Sequence, residues 1–149
     1  MRVARWVAPV TTALALAGVG VSTYLTIAHY ADPGGELQFC SGTGTVDCGA
    51  VTTSAQSTFL GIPVALLGLL WFVGMLVLCL PIAWRAGSRY VHLARLVGAI
   101  AGIGFVLWLV YAELLIIGAI CLWCTVAHVI AFALFVVVVL TTPALLAEE

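Results

Sequence analysis

Residues 96–140 read LVGAIAGIGFVLWLVYAELLIIGAICLWCTVAHVIAFALFVVVVL, and this stretch decides the fold. It carries one formal charge, Glu113, and one break, around Gly118. A bilayer core about 30 Å thick is crossed by roughly 20 apolar residues of helix. The stretch therefore divides into two spans, about 96–118 and 120–140. Working outward, an uncharged run over about 6–30 and another over about 61–83 supply two more. A polar loop rich in Gly, Ser and Thr, 31–58, joins them. The predicted fold class is an all-α integral membrane protein. It is a four-transmembrane-helix bundle with one long outer (periplasmic) loop, in a single membrane domain over 1–149.

Composition agrees with the spans. The chain is 64% hydrophobic and 7% charged, with a mean hydropathy of +1.26. A soluble domain is about 45–50% apolar and about 25% charged, so the few charges here cannot clothe a water-soluble surface. Soluble enzymes and disordered linkers are excluded. A net charge of -1 carries no basic footprint, so no nucleic acid is expected as a partner.

The placement of the charges sets an orientation. The basic residues are Arg2, Arg5, Arg85, Arg89 and Arg95, before the first span and between the second and third. In a four-span topology both places face one side, and the positive-inside rule makes that side cytoplasmic. Both termini are then cytoplasmic, and the 31–58 loop and the turn near Gly118 face outward. Trp6, Trp84 and Tyr90 fit one interfacial belt, and Tyr30, Phe39 and Trp123 the other. Two arginines before an apolar stretch also suit a signal peptide, but the run is about twice the usual length of its core. A retained span is expected.

Four of the five cysteines gather at the outer face. Cys40 and Cys48 sit in the loop FCSGTGTVDCGA (residues 39–50), and Cys121 and Cys124 form a C-x-x-C at the start of the fourth span. Cys79, alone in the second span, reads as a small core residue. At a helix start, free N–H groups and the macrodipole favour a thiolate at Cys121, the species that attacks disulfides. Cys124 lies one turn further in. The loop pair reads either as a structural staple or as a carrier of electrons from an aqueous partner. Electrons leaving on this side need a sink, for which a lipid-soluble quinone is suited. His128, four residues after Cys124, shares its helical face and suits a hydrogen bond to a quinone carbonyl or to a neighbouring helix. Glu113 reads equally as structural or as a proton carrier.

In this order the motifs resemble the vitamin K epoxide reductase family, in particular its bacterial membrane homologues. They are Cys40-x7-Cys48, VTTS ending at Ser54, FLGIP from Phe59 to Pro63, and CLWC followed by His128. The resemblance covers about 90 residues and implies four catalytic cysteines. Cys40 would exchange with a partner's thiols, Cys48 would pass electrons to Cys121, and Cys124 would react with the quinone. Ser54, Phe59 and His128 would contact the quinone. His128 stands where the human enzyme has a Tyr, which points away from vitamin K epoxide and towards quinone reduction. The implied acceptor is menaquinone or ubiquinone, with no metal. The chain ends at Glu149 without the thioredoxin-like domain fused to many homologues, so a DsbA-like thioredoxin-fold partner acting in trans is expected. The expected location is the inner (cytoplasmic) membrane of a bacterial cell. The alternative is a thiolate zinc site in the membrane, although C-x7-C lies outside the usual ligand spacing.

Overall fold

A computed structural model describes residues 4–31, 40 and 44–146. Arg2, Asp32, Glu36, Phe39, Glu148 and Glu149 lie outside the described residues, and so does much of the loop between the first two helices.

The chain folds as α-helices around two small clusters of buried side chains. Helix α1 (Val7–Ala31) is followed by a single-turn helix α2 (Cys48–Thr52) and a 3-10 turn (Ala55–Ser57). A two-residue hairpin, β1 (Thr58–Phe59) and β2 (Ile62–Pro63), leads into α3 (Val64–Cys79). Then come α4 (Pro81–Arg85), α5 (Arg89–Tyr111) with a π-helical end (Ala112–Ile117), and α6 (Leu122–Leu146). Among the described residues, three helical stretches are long and apolar enough to cross a membrane: Val7–Ala31, Arg89–Ile117 and Leu122–Leu146. Val64–Cys79 is apolar but shorter. The protein is an all-α membrane protein.

Lipid gives helices no hydrophobic reason to associate, so close backbone approach matters instead. Helix α1 packs on α3 and α6, and α5 packs on α6. A Cβ at Gly18 would fall on the Phe72 ring, and one at Gly102 on the Trp71 indole. Those two glycines let α3 set its largest rings against α1 and α5. The Trp71 Nε1–H donates to the Gly98 carbonyl at 2.9 Å, so the ring's polar edge is satisfied as well.

Local chemistry adjusts the ends of the apolar stretches. The second begins as helix only at Val64, because Leu60 (φ 53) and Gly61 (φ 80) form the turn of the hairpin, with Phe59 facing Ile62. Two consecutive left-handed residues make the mirror-image turn that suits the twist of paired strands. Helix α3 stops at Cys79, where Leu80 is extended ahead of Pro81. Helix α5 starts at Arg89, inside the segment that the apolar pattern assigns to a connection.

Arg95 explains that early start. Sequence places it among the flanking charges, whereas the fold buries it completely. Its Nε and Nη2 donate to the Leu78 carbonyl at 2.9 and 2.7 Å, and Nη1 lies 3.0 Å from His92 Nδ1. Its guanidinium carbon stands 3.5 Å over the centre of the Trp84 ring. The Thr12 hydroxyl donates to the Cys79 carbonyl at 2.8 Å, and Trp84 Nε1–H to Thr11 Oγ1 at 3.2 Å. The carbonyls that the proline break strips of helical partners are thus served by side chains from α1 and α5. Exposed Arg5, Arg85 and Arg89 lie at this same end of the molecule. Cys79 is fully buried beside them in the cluster of Met75, Ala99, Leu134 and Val138.

Candidate functional site

The opposite end holds the other four cysteines. Gly118, at φ +71, closes the π-helical end of α5 and turns the chain back within four residues into α6. This turn is sewn to the segment before Cys48. The Ile120 N–H donates to the Thr45 carbonyl at 2.8 Å, and the Asp47 N–H to the Ile120 carbonyl at 3.1 Å. Val46 and Ile120 form a parallel bridge. Asp47 also caps α2, its carboxylate accepting from the Ala50 N–H at 2.9 Å. Cys48, the first residue of α2, is held beside the turn that carries Cys121.

Cys40 and Cys48 form a disulfide with a Cα–Cα distance of 5.7 Å, the common spacing for such a bridge. Cys79, Cys121 and Cys124 are free thiols. Cys40, Cys48 and Cys121 are buried in one cluster with Leu25, Val51 and Ala119, and Cys124 packs against it. Tyr24 and Trp123 cover one side, their rings 4.9 Å apart.

Cys121 precedes the first residue of α6, and its sulfur accepts the Cys124 N–H at 3.2 Å. The Cys124 thiol hydrogen-bonds to it as well, which holds the Cys121 thiol below the ordinary cysteine range despite burial.

A cavity of about 460 Å³ opens beneath this cluster. Cys124 lines it and Cys121 does not. Ser54, Phe59 and His128 line it too, so the structure brings all three residues singled out as quinone contacts to one space with Cys124. Phe59 meets Phe105 edge to face, with ring centroids 5.9 Å apart. The Ser54 hydroxyl donates to the Val51 carbonyl at 2.7 Å. Most of the remaining wall is apolar, from α3 and α5. Glu113 also lines the cavity, and so does His29 from the last turn of α1, which sequence reading did not single out. A histidine at a helix end carries no signal of its own; only closure of the bundle shows where it points.

A zinc site would draw on four thiolates, two of which are joined here in the disulfide. Among the described residues, no group of three or more His, Cys, Asp or Glu is arranged to hold a metal ion. Among known families, the model of the vitamin K epoxide reductase family matches residues 9–139.

Proposed function

Because the chain belongs to the vitamin K epoxide reductase family, it is a quinone-linked thiol oxidoreductase of the membrane, and from that premise we propose its specific role. It reoxidises a DsbA-like thioredoxin-fold partner in disulfide bond formation. Electrons pass from the partner dithiol to Cys40 and Cys48, then to Cys121 and Cys124, and on to a membrane quinone, menaquinone or ubiquinone.

One observation carries this reading. Cys121 is packed with the Cys40–Cys48 disulfide, whereas Cys124 faces the cavity. The C-x-x-C therefore joins two adjoining environments, the cluster of loop cysteines and an apolar cavity that Cys124 lines and Cys121 does not. The cavity fits such an acceptor: its wall is mainly apolar, with the polar atoms of Cys124, His128 and Ser54 among it. When bound, a quinone supplies a two-electron, two-proton sink.

The residues divide the work. Cys40 meets the partner's thiolate and forms the first mixed disulfide. The partner's second thiol then frees Cys40, while Cys48, released as a thiolate, attacks Cys121 of the Cys121–Cys124 disulfide and frees Cys124. Cys40 attacks Cys48 in turn, which re-forms the loop disulfide and releases Cys121, whose lowered thiol range makes it a good leaving group. Closure of the Cys121–Cys124 disulfide delivers the electron pair at Cys124. His128 hydrogen-bonds the acceptor, while Phe59 and Ser54 cover the cavity.

The membrane arrangement that supports this chemistry is a four-span bundle in a single domain over 1–149. Helix α3 with α4 makes the remaining span, and the Cys40–Cys48 segment belongs to a long outer loop. By the positive-inside rule, Arg5, Arg85 and Arg89 at the opposite end support a cytoplasmic side there, with both termini on that side of a bacterial inner membrane. The test is complementation of bacteria lacking DsbB, scored for disulfide formation. Activity that depends on Cys40, Cys48, Cys121 and Cys124 but not on Cys79 supports the relay. A Cys124→Ala protein that still reduces quinone with dithiol at the normal rate overturns it.

A further inference from the structure

The relay gives no task to Glu113, a buried ionisable group at the cavity. Glu113 stands in the π-helical end of α5, is 6% exposed, and lines the same cavity as Cys124 and His128. Its carboxylate also accepts a hydrogen bond from the Cys121 backbone N–H. It thus touches the backbone of Cys121 on one side and the acceptor cavity on the other. Among the described residues, the influences on it are burial and that amide, with no cation. A π-helical turn widens the backbone locally, a departure often found at functional sites. Here it places a carboxyl at the cavity wall, bonded to the Cys121 amide and near enough for its charge to act on the Cys121 thiol.

We propose that Glu113 is the proton relay of the redox centre, carrying the Cys121 proton into the cavity as the Cys121–Cys124 disulfide closes. This rests on the thiol-to-quinone reading above and deepens it. The balance is complete without an outside donor. In closure the S–H bonds of Cys121 and Cys124 break and the S–S bond forms, releasing two electrons and two protons. The electron pair leaves at Cys124 Sγ. The Cys124 proton leaves by His128, on the same helical face. The Cys121 sulfur does not reach the cavity, so its proton needs a carrier, and the Glu113 carboxyl is in place to take it and release it beside the acceptor. A carboxylate and a thiolate side by side in a weakly polar site resist being charged together, so one proton alternates between them. The other titratable groups facing this space are His128 and His29.

The test pairs kinetics with a readout that needs no quinone. Glu113→Gln keeps the size and a hydrogen-bond acceptor for the Cys121 amide but cannot carry a proton. Quinone-coupled turnover is expected to fall by about 10²-fold, the lower range for general acid–base catalysis, in kcat rather than KM, with Glu113→Asp recovering part of it. In quinone-free protein, the infrared difference between dithiol and disulfide states is expected to contain a carboxylic-acid C=O band that Glu113→Gln abolishes. A purely structural carboxyl would give no such band. Should the Gln variant not accumulate, a displaced band in Glu113→Asp makes the same assignment, and an unmoved one refutes it. Wild-type turnover by Glu113→Gln with an unchanged spectrum, beside an inactive Cys124→Ala, overturns the proton relay alone. An active Cys124→Ala overturns the underlying reading, and the infrared result then judges Glu113 separately.

Discussion

Cys121 and Cys124 are three residues apart, yet one is packed among the loop cysteines and the other faces a cavity. The motif and its place before a helix were legible in the sequence; this division was not, because it depends on how α6 is rotated against α1 and α3. The hydrogen bonds that lower the Cys121 range have a kinetic consequence. The sign is direct: a depressed thiol is already thiolate below about pH 8.5, the ordinary cysteine value. Exchange of reduced Cys121 with the loop disulfide, the reverse of the relay step, should therefore plateau below that pH. In Cys124→Ala one donor is lost, and the midpoint should move to higher pH, as read by acid quenching and alkylation of the free thiols. At the other end, Arg95 could be counted from sequence but not located. Its partner, the Leu78 carbonyl, lies 17 residues away and is freed only by the break before Pro81. Arg95→Leu leaves that carbonyl buried without a donor, at a cost of about 1–3 kcal/mol. Thermal unfolding in detergent should show the loss. Arg95→Lys should restore little, since an ammonium lacks the planar fork that donates twice to one carbonyl while lying on Trp84.

Helices were the easiest elements to read, since apolar length alone marks them. Their ends were harder, because turns and breaks answer to single residues. The second span reads from about 61, but two left-handed residues, Leu60 and Gly61, fold its first residues into a hairpin that presents Phe59 to the cavity. Gly61, at φ +80, is central to that turn. A β-branched side chain is strongly disfavoured there, so Gly61→Val should loosen the hairpin and part Phe59 from Phe105. The expected result is a raised KM for quinone with a smaller change in kcat, measured with a soluble quinone analogue. Gly118 plays the matching part between α5 and α6. Gly118→Ala should cost roughly 1–2 kcal/mol from the left-handed backbone alone, again visible as a lower unfolding temperature.

At the scale of the whole molecule, paired cysteines occupy one end and the described arginines the other, and this polarity could be read from charge placement alone. The two-sided topology proposed from it is directly measurable. Ala55 and Ala86 are exposed at opposite ends. A membrane-impermeant maleimide should label Ala55→Cys in spheroplasts, but label Ala86→Cys only after permeabilisation. What charge placement did not reveal is that the segment before Cys48 is sewn to the turn before Cys121 through Val46 and Ile120. Such a tether turns the exchange between the two cysteine pairs into a unimolecular step. Its effective concentration is at least in the millimolar range that short flexible linkers provide, and it does not change when the enzyme is diluted. Only the meeting with the outside partner remains second order. Dilution of both proteins in vesicles should then slow the first transfer in proportion and leave the second untouched, so the enzyme is tuned to the supply of its partner rather than to its own abundance.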